Sequence, residues 1–593
     1  MGTATAAWLA ALLSVPCLLA AQSYQQLVAR FDYDTRAPLD VREVGVEGRG
    51  AAKIHDITYG SPRGGRVPAY LVVPDGQGPF AAVIWGHWYW SNSEFRNRRE
   101  FLDEALVLAR SGVVSLLFDG PVARPGFFDD ETPLNEKQID DRMQTILDVR
   151  RAADLLLARR DVDPKRLGYV GHSYNASTGG YLAGIDKRFK AFVLMAGSLS
   201  DKVDLESKEY RDYRQAVGPG KFDAFINKFA WLDPGLYLPH ATPAAVLMQY
   251  ATKEGFLTVE RAKQYAQLVS VPKQFEVYDA PHALNAAARR DRAKFLRDNL
   301  RLRALDMPAL DALPELVQPP PEPTIERKTA VAPDGVSLAY SAAGAGDTAL
   351  VFIHGGFADR SFFTEQFHAL SGRYRVVAID LAGHGESGTN RTAWGIPQFG
   401  ADVKAVVDAE KLRRVVLFGN SLGGPVAIEA ALLLPGRVLG VVGIDTFQDL
   451  GHPETPEYAK AAAEAARQRL EAFRKDYAGS MKAMVAMLFH SDADPWLVAE
   501  AQRRMMRTTP EIGAAMLAGA ASYDYSTSAH KLTVPVRAIN GDLYPTDVLA
   551  ARRVKADFDV VVMKHCGHYP MLERADEFNR HVVTVVQALE RAK

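Results

Sequence analysis

Apolar positions along this chain follow two different periods, and the periods alternate. Phe80–Gly86 and Val113–Phe118 are near-continuous apolar runs, the pattern of strands buried on both faces. Asp140–Arg159 carries its apolar residues at helical spacing instead. Arg166–Ser173, Ala191–Ala196, Ala244–Tyr250 and Phe275–Tyr278 predict further strands, and Ala286–Leu300 a closing helix. Ahead of them, residues 24–55 predict a helix and a first strand, and Ile57–Pro74 a hairpin turning at Gly64-Gly65.

Pro308–Pro323 breaks the alternation. Its Gln318-Pro319-Pro320-Pro321-Glu322-Pro323 run is stiff, extended and poor for helix or strand, as a linker would be. The cycle then restarts with a hairpin over Thr329–Ala342 turning at Asp334-Gly335. Strands are predicted at Ala349–Ile353, Arg375–Ile379, Arg414–Phe418, Val438–Ile444, Val534–Asn540 and Phe558–Met563, with a last helix at Asp576–Leu589. Residues 456–520 are Ala-, Glu-, Arg- and Met-rich at helical spacing, more than a crossover needs, and predict a helical cap. Each half therefore reads as α/β, a mostly parallel sheet with helices on both faces. The 593 residues exceed the ~250–300 at which a single core stops growing. The expected division is 22–305, a linker at 306–324, and 325–593.

Composition narrows the function classes. Net charge is −1 with no long basic run, which gives a nucleic-acid partner no electrostatic basis. Residues 1–21 are apolar and small-residue-rich and read as a signal peptide, so a secreted or periplasmic location is expected, with no stable membrane span after cleavage. Cleavage would leave Cys566 alone, excluding an internal disulfide. The chain has no H-E-x-x-H, C-x-x-C, phosphate loop or dinucleotide fingerprint, so neither metal nor cofactor is expected.

The chemistry lies in two serine turns placed about one domain length apart. Gly171-His172-Ser173-Tyr174-Asn175 and Gly419-Asn420-Ser421-Leu422-Gly423 each follow an apolar strand, and each is followed far downstream by a histidine in a turn, His282 and His568. A strand running into a sharp Ser turn and then a helix exposes the hydroxyl. In the second half, Ile353-His354-Gly355-Gly356-Phe357, Asp380-Leu381-Ala382-Gly383-His384-Gly385 and Gly567-His568-Tyr569-Pro570 complete an ordered set of four motifs. With these, residues ~325–593 resemble a capped esterase of the α/β-hydrolase fold. The resemblance implies Ser421 as nucleophile, His568 as general base, and the N–H groups of Gly356 and Leu422 as oxyanion donors. In that fold the acid usually lies three residues past the glycine ending the penultimate strand, where this chain has Tyr544. Asp445, at the end of the previous strand, is the expected acid, with Asp542 the alternative.

In the first half, Asp163-Pro164-Lys165-Arg166-Leu167-Gly168 and Gly171–Asn175 make residues ~55–300 similar to dienelactone hydrolase-like and prolyl-oligopeptidase-like hydrolases. Dienelactone hydrolases proper use Cys where this chain has Ser173, which points to ester hydrolysis. The resemblance implies Ser173, His282 and Glu254 as the reacting set, with the N–H groups of Tyr89 and Tyr174 as oxyanion donors. Asn175 replaces the second glycine of the turn and is expected to fit with some strain. Trp88, Tyr89 and Trp90 are expected either to line a pocket or to cover apolar sheet. The reading is a serine hydrolase of small-molecule or polymer-linked carboxylic esters, possessing one or two working sites. The alternatives are a non-catalytic module in one half, and a peptidase or amidase in the first. Oligomeric state is not legible.

Overall fold

The computed structural model describes residues 23–90, 93–124, 127, 134–270, 272–317, 323–452, 464, 467–468, 470–491, 493–521 and 523–591. The N-terminal segment read as a signal, and most of the proline run, lie outside the described residues. The chain divides into two compact α/β units, one built mainly from residues 23–317 and the other mainly from 323–591.

The first unit has nine strands: β1 (Arg42–Arg49), β2 (Ala52–Gly60), β3 (Arg66–Pro74), β4 (Phe80–Gly86), β5 (Val113–Phe118), β6 (Val162–His172), β7 (Phe189–Met195), β8 (Ala245–Ala251) and β9 (Lys273–Tyr278). They are ordered β1-β2-β3-β5-β4-β6-β7-β8-β9. β1, β2, β3 and β5 run antiparallel, and β5 onward is parallel. The second unit has β10 (Glu326–Val331), β11 (Ser337–Ala343), β12 (Ala349–Ile353), β13 (Arg375–Ile379), β14 (Val415–Asn420), β15 (Val438–Ile444), β16 (Val536–Gly541) and β17 (Asp559–Met563). Their order, β10-β11-β13-β12-β14-β15-β16-β17, is that of the first unit without β1. Every residue of β4, β8, β12 and β15 is buried, as their unbroken apolar runs require, whereas β9 and β17 lie at sheet edges and are largely open to solvent.

The order in which strands are added reverses at β4 in one unit and β12 in the other, because the next strand in sequence lies on one side and the one after it on the other. The crevice beyond the carboxyl ends of strands at such a reversal is where α/β sheets accept ligands. Both serines lie there, after β6 and β14. Boundaries shift by a few residues from the sequence pattern. The predicted 140–159 helix spans Glu136–Leu157, because Asn135 caps it by accepting the Lys137 N–H. Among the described parts of 456–520, helices form at Tyr477–Met487, Pro495–Met505 and Pro510–Ala521.

The start of the linker is not free chain. Met307–Asp311 is a short helix, and Arg289 donates to the carbonyls of Leu310, Leu313 and Pro314 at 2.7–2.9 Å. Glu315 accepts the Ala286 N–H at 3.1 Å, and Leu316 packs on Trp88, Trp90 and Ala283.

Both serine turns depend on one close approach of backbone to backbone. A Cβ on Gly171 would lie 2.2 Å from the Asn175 carbonyl oxygen, and one on Gly419 would lie 2.0 Å from that of Gly423. The units differ at the next contact. In the second, strand-end Ile353 is matched by Gly423, where a Cβ would sit 2.4 Å from the Ile353 carbonyl oxygen. In the first, the glycine has moved to the strand: Gly86 faces Asn175, and a Cβ on Gly86 would lie 2.6 Å from the Asn175 Cβ. Asn175 is fully buried and donates Nδ2–H to the His87 carbonyl at 2.6 Å. The strain expected at Asn175 is thus relieved by a missing side chain across from it. Gly86→Ala should destabilise the first unit by about 1–3 kcal/mol through overpacking. Adding Asn175→Gly should recover part of that loss, so a double-mutant cycle by denaturant unfolding should show coupling between the two sites.

Candidate active sites

Ser173 follows β6 with φ +52°, and Ser421 follows β14 with φ +50°. A non-glycine residue in the left-handed region is strained, and here the fold holds it there. In each unit the Ser N–H is fixed on the neighbouring strand, Ser173 on the Met195 carbonyl and Ser421 on that of Ile444.

In the first unit the loops after β8 and β9 bring Glu254 and His282 together. His282 Nδ1 lies 2.7 Å from Glu254 Oε2, and both side chains are almost wholly buried. Burial holds the His282 pKa below the ordinary histidine value, and Glu254 opposes that shift only in part. Ser173, His282, Tyr89 and Tyr174 line one cavity of about 380 Å³, together with Phe256 and Asp204. Arg142 stacks on the Tyr174 ring at 3.7 Å and donates to the Tyr174 carbonyl at 2.6 Å. Trp88 and Trp90 neither line that cavity nor simply cover the sheet. Trp88 stacks on His282 (6.0 Å, 10° between planes), Trp90 leans on it at 5.7 Å, and Phe256 meets it edge-on at 5.5 Å. The histidine is caged by aromatic rings.

In the second unit His568 Nδ1 lies 2.6 Å from Asp445 Oδ2, and the other Asp445 oxygen accepts the Gly541 N–H at 3.0 Å. Asp445 is buried. Asp542, the alternative acid, is engaged elsewhere: its Oδ1 takes the Cys566 N–H at 3.2 Å and lies 3.0 Å from His490 Nε2. Tyr544 donates its hydroxyl to the Met487 carbonyl at 2.8 Å, and the His568 N–H donates to that of Leu488, also at 2.8 Å. Both carbonyls belong to the carboxyl end of a cap helix, which thereby braces the turns carrying Tyr544 and His568. Gly567 must be glycine, since a Cβ would lie 2.6 Å from the Leu488 oxygen. Gly355 and Gly356 lie against the serine turn: a Cβ on Gly355 would come within 3.1 Å of Ser421 Cβ, and one on Gly356 would be 4.0 Å from Leu422 Cδ2. Met516 from the cap helix Pro510–Ala521 closes over Gly356.

The two units keep the acid at different strand ends. Ala196 (φ +49°) holds the place after β7 that Asp445 (φ +43°) holds after β15, and Glu254 and Tyr544 each stand three residues past the ends of β8 and β16. Each unit has a carboxylate on its histidine at one of the two positions.

Several supporting residues escaped the sequence reading. His87 and His354, just after β4 and β12, each hold a neighbouring carbonyl through Nδ1 at 2.7 Å and accept a backbone N–H at Nε2, from Gly120 at 3.1 Å and Leu381 at 3.0 Å. Burial pushes their pKa values down to about 4 and about 3, so both stay neutral and brace the turns carrying Tyr89 and Gly356. Glu573 accepts the N–H groups of Gly567 and Tyr569 at 2.9 and 3.0 Å and fixes the His568 turn. The residue before each serine reaches the carbonyl of the distant histidine: His172 Nε2 to His282 at 3.0 Å, Asn420 Nδ2 to His568 at 3.1 Å. A polar residue ending an otherwise apolar strand was the one signal for it. Among the described residues there is no grouping of His, Cys, Asp and Glu able to hold a metal, and no helix long and apolar enough to cross a membrane.

Residues 350–581 match the Alpha/beta hydrolase family. The chain is 33% identical over 108 residues to the dihydrolipoyllysine-residue acetyltransferase component of the acetoin cleaving system of Cupriavidus necator, which covers 18% of this chain and 29% of that protein. It thus spans under a third of that relative's length. It is 26% identical over 267 residues to the pimeloyl-[acyl-carrier protein] methyl ester esterase of Nitrosospira multiformis, covering 42% of this chain and 97% of that protein. Among solved structures, a putative aryl esterase from Burkholderia cenocepacia aligns at 23% identity over 45% of this chain and 100% of its own, with a TM-score of 0.39. Over residues 350–581 the chain is thus similar to α/β hydrolases.

With the first serine removed by Ser173→Ala, Asp445→Asn should lower kcat for a p-nitrophenyl ester by about 10³- to 10⁴-fold, while Asp542→Asn should leave it near the parent value. With Ser421→Ala, the acid limb of kcat/KM should have its midpoint below the ordinary histidine value of ~6.5, because activity needs neutral His282 and is lost only as pH falls through its lowered pKa.

Proposed function

We propose that this chain is a tandem serine hydrolase of carboxylic esters with two sites, Ser173–His282–Glu254 and Ser421–His568–Asp445. The observation carrying this reading is common to both units: a buried carboxylate hydrogen-bonds Nδ1 of a histidine whose own carbonyl is tied to the residue beside the strained serine. The carboxylate sets the tautomer and orientation, and Nε2 is then the nitrogen that takes the serine proton. The serine oxygen attacks the acyl carbon, and the N–H groups of Tyr89 and Tyr174, or of Gly356 and Leu422, receive the oxyanion. The histidine returns its proton to the leaving alcohol, and water releases the acid from the acyl-enzyme. No step requires a metal or cofactor.

The first unit is read as dienelactone hydrolase-like, with Ser in place of Cys, and the second as a capped esterase. The methyl ester esterase relative supports an acyl ester as the substrate class of the second unit. The apolar residues 1–21 support export to the periplasm or medium.

Hydrolysis of short p-nitrophenyl esters by wild type, Ser173→Ala, Ser421→Ala and the double variant tests the assignment. Each single substitution should remove a separable part of the activity, and the double should reduce it by at least about 10³-fold. A fluorophosphonate should label two serines in wild type and one in each single variant. Loss of all turnover and all labelling with one substitution would make the other unit a binding module. Undiminished activity of the double variant would sink the serine reading.

A further inference from the structure

His172 makes two hydrogen bonds, one through each ring nitrogen. Nδ1 lies 2.5 Å from Glu100 Oε1, and Nε2 lies 3.0 Å from the His282 carbonyl oxygen. With Glu100 ionised, both partners only accept, and the ring then donates from both nitrogens as an imidazolium paired with Glu100. The second Glu100 oxygen accepts the Trp88 N–H at 2.6 Å, and Trp88 stacks on His172 at 5.2 Å. The His172 and Glu100 side chains are 0% and 2% exposed, so water does not screen the pair. In the second unit Asn420 occupies the same place and holds the His568 carbonyl as a neutral amide. Holding the carbonyl therefore needs no charge, and the first unit has an ionisable pair there in addition, with the His172 and His282 rings 5.2 Å apart.

We propose that Glu100, acting through His172, is a positioning residue of the first site: the pair fixes the His282 backbone and sets a positive charge against its ring. That charge favours neutral His282, the form able to take the Ser173 proton. The inference rests on the Ser173–His282–Glu254 reading. Two carboxylates pull the opposite way on His282: Glu254, from the loop after β8, and more weakly Glu100 itself, behind His172. Behind Glu100 lies a cavity of about 270 Å³ bordered by Arg99, Asp103, Glu104, Arg289 and Arg292. Of these, Arg292 is paired with Glu104, and Arg289 holds three carbonyls. Trp88, Trp90 and Phe256 complete the surroundings without charge.

The test uses the full chain carrying Ser421→Ala and follows kcat and KM for p-nitrophenyl acetate against pH. Glu100→Gln keeps the network, because the amide donates to Nδ1 and accepts from Trp88, but makes the pair neutral. It should retain plateau kcat and KM while the acid limb moves up by about half to one pH unit. His172→Asn copies the second unit and should move the limb the same way. Glu100→Ala should lower kcat by about 10- to 100-fold at unchanged KM, and Glu100→Gln should restore it. If Glu100→Gln and His172→Asn are folded by circular dichroism and active with an unmoved acid limb, the proposal is overturned. It is equally overturned if Glu100→Ala is folded and as active as its parent. Should Glu100→Ala fail to fold, the other two variants decide. An inactive Ser421→Ala parent whose Ser173 takes up no fluorophosphonate would instead refute the underlying reading.

Discussion

Everything at these sites depends on how closely a helix can approach the strand before it. The serine is held at positive φ only because the glycine two residues earlier lets the backbone of the next turn come within contact distance of the strand. Any side chain at Gly171 or Gly419 would push the helix away and release the strain. The second approach, between the helix start and the neighbouring strand, also needs one missing side chain. The second unit removes it from the helix (Gly423) and the first from the strand (Gly86). What both units keep is the volume at the crossing, whichever side leaves the gap.

The acid shows the same freedom. A histidine near the ends of two adjacent parallel strands can receive its carboxylate from either. Glu254 comes from the loop after β8, Asp445 from the end of β15, and both reach Nδ1. The vacated position takes other work. Tyr544 ties the turn after β16 to a cap helix, and Ala196 keeps only the positive φ of its counterpart. The carboxylate's position can therefore change while the geometry at the histidine stays the same.

Much of the fold was legible because buried parallel strands leave unbroken apolar runs and helices leave a 3.6-residue period. The serine turns and the two histidines were legible because glycine and polar residues interrupt those runs at strand ends. Contacts between residues distant in sequence were not. Nothing local in Arg289 signals that it grips the start of the linker, or in Gly86 that it makes room for Asn175. Glu100 lies in a polar loop with no pattern of its own, and only the folded chain brings it to His172. Trp88 and Trp90 looked like pocket or sheet cover, and their contact with His282 depends on a loop two hundred residues further on.

The two histidines end in opposite surroundings although their strands are equivalent. His282 is caged by Trp88, Trp90 and Phe256, with the His172 ring beside it, and burial lowers its proton affinity. The His568 backbone N–H instead hangs from the carboxyl end of a cap helix, on the Leu488 carbonyl. A general base must be neutral to accept a proton and cationic to give it to the leaving group. The environment of His282 favours the neutral form. Movement of the cap helix would shift the His568 backbone directly, through the Leu488 carbonyl, whereas the groups holding His282 belong to the loops of its own sheet.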